Sequence, residues 1–154
     1  VTARVFGPDG ELKQEVVTHN LITANGDQYC AKKQYSTPTA MSGMKLGTAS
    51  TAAAKTGAGS FQAVADYVSG SAHALDATYP KQGATADIAQ YKCTWAAGEA
   101  TATGIQRVSI TDNTTNAGEA DGTHTLAIAV LSPSVNKGAS DTLVVTWDHT
   151  FLGA

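Results

Sequence analysis

Residues 141–151 alternate without a break. Leu143, Val145, Trp147, His149 and Phe151 fall on one side, and Thr142, Val144, Thr146, Asp148 and Thr150 on the other. Successive side chains of an extended chain point to opposite faces, so this pattern predicts a strand with one buried face. Such strands belong to antiparallel sheets, and the apolar face requires a second layer to cover it. Residues 87–96 repeat the pattern, with Tyr91, Cys93 and Trp95 opposed by Lys92 and Thr94. Residues 123–131 set Leu126, Ile128 and Val130 against Ala127 and Ala129, and residues 101–111 centre on Val108 and Ile110.

The remaining elements are shorter. Residues 2–6 and 12–20 read as strands joined by the turn Gly7-Pro-Asp-Gly10, which makes a hairpin. Thr23 is placed to cap a helix over residues 23–34, although Asn25-Gly26 is also a turn signal. Residues 41–46 form a strand candidate, 61–68 fit helix or strand equally, and 72–79 are a weak strand. Residues 80–85, 112–122 and 132–140 read as loops. The total is seven to nine short strands and one or two short helices. That predicts one mainly-β domain, an antiparallel β-sandwich, with the jelly roll as one form it can take. Its expected core is Tyr91, Trp95, Leu126, Ile128, Val130, Leu143, Val145, Trp147 and Phe151.

Composition changes this picture in one place. Residues 49–60 are almost entirely Ala, Thr, Ser and Gly, with Lys55 the sole charge. Such a stretch cannot bury enough surface to fold alone, so it reads as an arm reaching over a neighbouring subunit. Ala49, Ser50, Lys55, Gly57 and Gly59 are its candidate contacts. Over the whole chain only 15% of residues are charged, below the usual quarter, which favours a subunit of an assembly. The net charge of −3 argues against nucleic acid as a partner. No apolar stretch approaches the roughly 20 residues that span a bilayer, and no signal-like region opens the chain, so neither membrane nor leader is expected. Cys30 and Cys93 read as two thiols in preference to one disulfide.

Candidate chemistry is sparse. Asp148 and His149 are neighbours on a strand, so they point to opposite faces and cannot form a dyad with each other. His19, His73 and His124 sit in separate elements, and no Gly-x-Ser-x-Gly elbow occurs. Asp112, Asn113, Asn116, Glu119 and Asp121 gather calcium-type oxygen donors in one loop, without EF-hand spacing. Gly57-Ala-Gly59 lacks the Lys-Ser/Thr of a phosphate loop. The residues predict no enzyme, no cofactor and no metal site.

Four stretches, in order, resemble small virion structural proteins of tailed bacteriophages. They are residues 19–26 (His-Asn-Leu-Ile-Thr-Ala-Asn-Gly), 44–49 (Met-Lys-Leu-Gly-Thr-Ala), 94–101 (Thr-Trp-Ala-Ala-Gly-Glu-Ala-Thr), and 131–137 running into 141–151. Residues 104–110 depart from the group's usual strand. The resemblance implies a β-sandwich that forms homo-oligomers on the virion. Its favoured role is a capsid decoration (cement) protein, often trimeric, that clamps the major capsid protein from the capsid exterior after assembly in the host cytoplasm. A tail fibre, spike or other tail-associated component is the alternative. A carbohydrate-binding module is a third reading, and it would need exposed Trp or Tyr on a concave face.

Overall fold

The computed structural model describes residues 1–115, 118–119 and 122–151. Strands β1 (Thr2–Phe6), β2 (Leu12–Val17) and β3 (Asn20–Ile22) lead into helix α1 (Ala24–Lys32). Then come β4 (Gly43–Gly47), β5 (His73–Ala74), β6 (Lys81–Gln82), β7 (Ile88–Trp95), β8 (Ala102–Thr111), β9 (Thr125–Lys137) and β10 (Thr142–Thr150). Among the described residues they form two five-stranded antiparallel sheets, ordered β2-β1-β10-β7-β6 and β3-β9-β8-β4-β5. The fold is a β-sandwich.

β10 lies at the centre of the first sheet, between β1 and β7. Its inner face carries Leu143, Val145 and Trp147, all fully buried, beside Tyr91, Cys93 and Trp95 of β7. Residues directly opposite on paired strands share a face. The pairs Met44↔Ile110, Leu46↔Val108, Ile110↔Ala127 and Val108↔Ala129 therefore define the inner face of the second sheet. In β9 Leu126, Ala127, Ala129, Leu131 and Val135 join this core, with Leu126 at the register shift beside Thr111. Ile128 is fully buried but lies opposite Ser109, which lies opposite Lys45, so it belongs to the outer face. The expected alternation of β9 is thus inverted. Two fully buried tryptophans, Trp95 and Trp147, belong to the core between the sheets.

Two expected core residues are corrected. Val130 is only half-buried, because it lies opposite Arg107 on the outer face. Phe151 lies beyond the end of β10 with 49% of its surface exposed, and its ring stacks on His149 at 4.3 Å. Leu126 is buried within the core cluster as expected.

Other boundaries moved for local reasons. The stretch 12–20 splits, since residues 18–19 carry the chain from the first sheet to the second. β9 continues through the expected loop to Lys137. Its register jumps from Arg107↔Val130 to Ile105↔Val135, so Pro133 sits in a bulge where no ladder hydrogen bond is required of it. Residues 61–68 contain only the 3-10 turn Val64–Asp66, and 72–79 only the two-residue β5.

The helix starts where its cap predicts. The Thr23 hydroxyl accepts from Gly26 N at 2.9 Å and donates to the Thr125 carbonyl at 2.6 Å, tying the helix start to β9. Asp27 in the first turn and Lys32 in the last suit the helix dipole. Gly26 lies inside the helix for a packing reason: a Cβ there would sit 2.1 Å from the Leu126 carbonyl oxygen. Gly26→Ala should therefore destabilise the fold although alanine is the better helix former. The overpacking cost of about 1–3 kcal/mol outweighs a propensity gain of about 1 kcal/mol. Urea unfolding measures the difference, and a more stable variant would contradict the close approach.

Candidate functional site

The outer face of the second sheet carries a buried polar layer. Lys45, Arg107, Ser109, Thr111 and Thr125 all project there, and each is essentially inaccessible to solvent. An outward sheet face is ordinarily solvated; this one is roofed by residues 49–66 and by Glu119.

Arg107 fastens the roof. Its guanidinium donates to the carbonyls of Ala58 (2.9 Å), Phe61 (3.0 Å) and Thr51. Burial lowers its pKa, and the Asp66 carboxylate partly offsets this. The planar five-donor fork reaches three separate points of one segment, which a lysine ammonium would hold less rigidly. Further bonds fix the two ends: Ala24 N donates to Lys55 O, Thr48 N to Asp66 O, and Ala54 N to Gly59 O. Gly47 makes room for the roof, since a Cβ there would lie 1.9 Å from the buried Gln62 amide oxygen.

Beside Arg107 lies a second buried charge pair. Lys45 Nζ stands 3.7 Å from Glu119 Oε1. Thr111 and Thr125 hydroxyls donate to the two Glu119 oxygens at 3.4 and 3.0 Å. Burial pushes the Lys45 ammonium down from its usual range, and Glu119 pulls it back. Removing one member of such a pair strands the other charge in a dry setting, at a cost of about 3–5 kcal/mol.

The segment expected to be a free arm is therefore a strap bound to its own sheet. Ala49 and Gly59 are buried within the chain, whereas Ser50, Lys55 and Gly57 are exposed. Lys55 pairs with Asp27 of α1 at the surface. The sequence signal that was missed is Arg107, the one charged residue of β8. A buried arginine needs several acceptors, and a run of small residues supplies backbone carbonyls at close range.

The described candidate ligands of the 112–122 loop, Asp112, Asn113 and Glu119, do not converge. Glu119 turns inward to Lys45, Asp112 Oδ1 accepts from His124 Nδ1 at 2.7 Å, and the Asn113 side chain accepts from Thr115. Asn116 and Asp121 lie outside the described residues. Among the described residues, no group of three or more His, Cys, Asp or Glu side chains is placed to hold a metal ion.

The histidines occupy four separate places. His19 is exposed, His73 stands 3.7 Å from Glu99, and His124 pairs with Asp112. His149 is buried, with neither ring nitrogen hydrogen-bonded. Both cysteines are thiols; burial pushes Cys93 up to about 12, and its Sγ donates to the Ala74 carbonyl at 3.3 Å. Among the described residues no helix is long and apolar enough to cross a membrane.

No protein-family model, curated protein or solved structure matches the chain.

Replacing Arg107 with alanine should free the strap without unfolding the sandwich. Losing about 1.5–3 kcal/mol, the worth of one hydrogen bond to a charged group, should speed tryptic cleavage after Lys55 roughly ten- to hundredfold, since cleavage tracks the open population. Unchanged digestion would show that the strap is held by something else.

His149 makes stability depend on pH. Burial lowers its pKa below the ordinary 6.5, so the unfolded chain takes up the proton first as pH falls. Its contribution is complete above about 6.5 and declines below it, by up to about 1.4 kcal/mol per pH unit, until the folded-state pKa is reached. Thermal melts between about pH 7.5 and 5 should show this slope in the native protein and a weaker one in His149→Phe.

Proposed function

We propose that this protein is a non-enzymatic virion structural protein of a tailed bacteriophage, a decoration protein that binds the major capsid protein lattice from outside and stabilises it. The observation that carries the reading is the strapped outer face of the second sheet. Ser50, Thr51, Ala52, Thr56, Gly57 and Ala58 are exposed there on a segment fastened from below by Arg107. A surface of small, nearly uncharged residues carries few ordered water molecules and no long side chains, so a neighbour can approach closely at little entropic cost. Pre-ordering by the buried guanidinium removes the further cost of immobilising a loop on binding.

This alters the expected mechanism. A flexible arm would capture its neighbour by wrapping it, whereas a fastened strap presents a preformed face. The ordered motifs resembling phage virion proteins support the same reading, as does the low charge of the chain as a whole. For a carbohydrate-binding module the exposed tryptophan platform is missing, because Trp95 and Trp147 are both fully buried.

The first test is the number of copies per purified virion, measured by quantitative mass spectrometry against the major capsid protein. Decoration predicts parity or a simple fraction of the capsid subunit count. A handful of copies would point instead to the tail, and absence from virions would overturn both. Ser50→Arg together with Ala58→Arg should abolish attachment to capsids while leaving thermal unfolding unchanged. Deleting the strap is a poorer test, because it would strand the Arg107 charge.

A further inference from the structure

Three of the four sheet edges are very short: β3 has three residues, and β5 and β6 two each. Short edges are the usual protection against unwanted strand pairing. The fourth, β2, has six residues and, among the described residues, no neighbouring strand beyond β1. It also carries two of the large apolar side chains left in water, Leu12 at 54% and Val17 at 69% exposure.

The hydrogen-bonding phase of this edge follows from its pairing with β1. Thr18 N donates to Val1 O, so the adjacent pair Thr2↔Val17 is of the non-hydrogen-bonded kind. By alternation so is Arg4↔Glu15. The backbone N–H and C=O of Glu15 and Val17 therefore point to the open edge. The irregularity between Val5 and Phe6 leaves Lys13 without a partner on β1, since Val5 pairs with Gln14 and Phe6 with Leu12.

We propose that β2 pairs antiparallel with β2 of a second copy, about a two-fold axis through Gln14, joining the two first sheets into one ten-stranded sheet. This register is chosen by charge. It sets Lys13 opposite the partner's Glu15, and Glu15 opposite the partner's Lys13. An axis through Glu15 would instead oppose two like carboxylates. Each copy already anchors these side chains, as Arg4 holds Glu15 and Asp141 holds Lys13, so the pairing extends two existing ion pairs into one ladder across the axis. The contact is isologous and closes at two copies, which departs from the trimer expected by resemblance. It does not depend on the capsid reading, because the same edge would pair on any particle.

Sedimentation equilibrium of the whole chain should give twice the sequence mass at micromolar concentration. In a Cys30→Ser background, Gln14→Cys should form an intermolecular disulfide on mild oxidation, because non-hydrogen-bonded partners have Cα atoms about 4.5 Å apart, within disulfide reach. Lys13→Glu should give a monomer with native circular dichroism, and adding Glu15→Lys should restore the dimer. A monomeric or trimeric native protein would overturn the proposal. So would a dimer in which Gln14→Cys fails to cross-link, since that dimer uses another surface or register.

Discussion

The placement of β10 between β1 and β7 is the constraint on which the sandwich rests. It brings the two ends of the described chain together in the middle of one sheet, with β1 pairing over its first half and β7 along almost its whole length. Leu143, Val145 and Trp147 then supply the centre of the inner face. A strand flanked on both sides cannot slip by one residue, because that would turn its tryptophan to solvent and its threonines into the core. Every other layer is positioned relative to that face: the second sheet covers it with Met44, Leu46, Val108 and Ile110, and α1 closes on β9 where Thr23 bonds the strand and Gly26 leaves room for the Leu126 carbonyl.

The outer face of the second sheet follows a different rule. Burying Lys45, Arg107 and Glu119 together carries a desolvation cost that no apolar face would incur. The layer persists because its charges are satisfied locally, Lys45 by Glu119, Glu119 by two threonine hydroxyls, and Arg107 by three backbone carbonyls. The cost is returned as order. A segment of alanine, threonine, serine and glycine has no side chains with which to build a core, and only directed bonds to its backbone can hold it in one conformation. The rigidity of the surface strap thus originates from a cation on the strand beneath it.

Two surfaces follow from these constraints, with opposite chemistry. The strap offers a flat, small, nearly uncharged face whose backbone is already hydrogen-bonded to its own protein. The β2 edge offers unpaired backbone groups, alternating charge and exposed apolar side chains.

Alternation along residues 87–96, 101–111 and 141–151 was enough to determine the class of fold and most of the core, because strand burial is written locally at period two, and the Gly7-Pro-Asp-Gly10 turn gave the hairpin at the N-terminus. The Thr23 cap was equally local. What the sequence left open depended on residues far apart in the chain. The inner face of β9 was decided by its pairing with Val108 and Ile110 of β8, and the exposure of Phe151 by its place beyond the end of β10. Asn25-Gly26 weakens the helix expected there, and the reason for the glycine is found only in the Leu126 carbonyl that lies against it. Glu119 reads as a loop ligand until Lys45 is found beneath it. The strap read as a free arm because its own composition carries no anchor; the anchor is Arg107, nearly fifty residues later, and only folding of β8 beneath residues 49–61 brings that charge to their carbonyls.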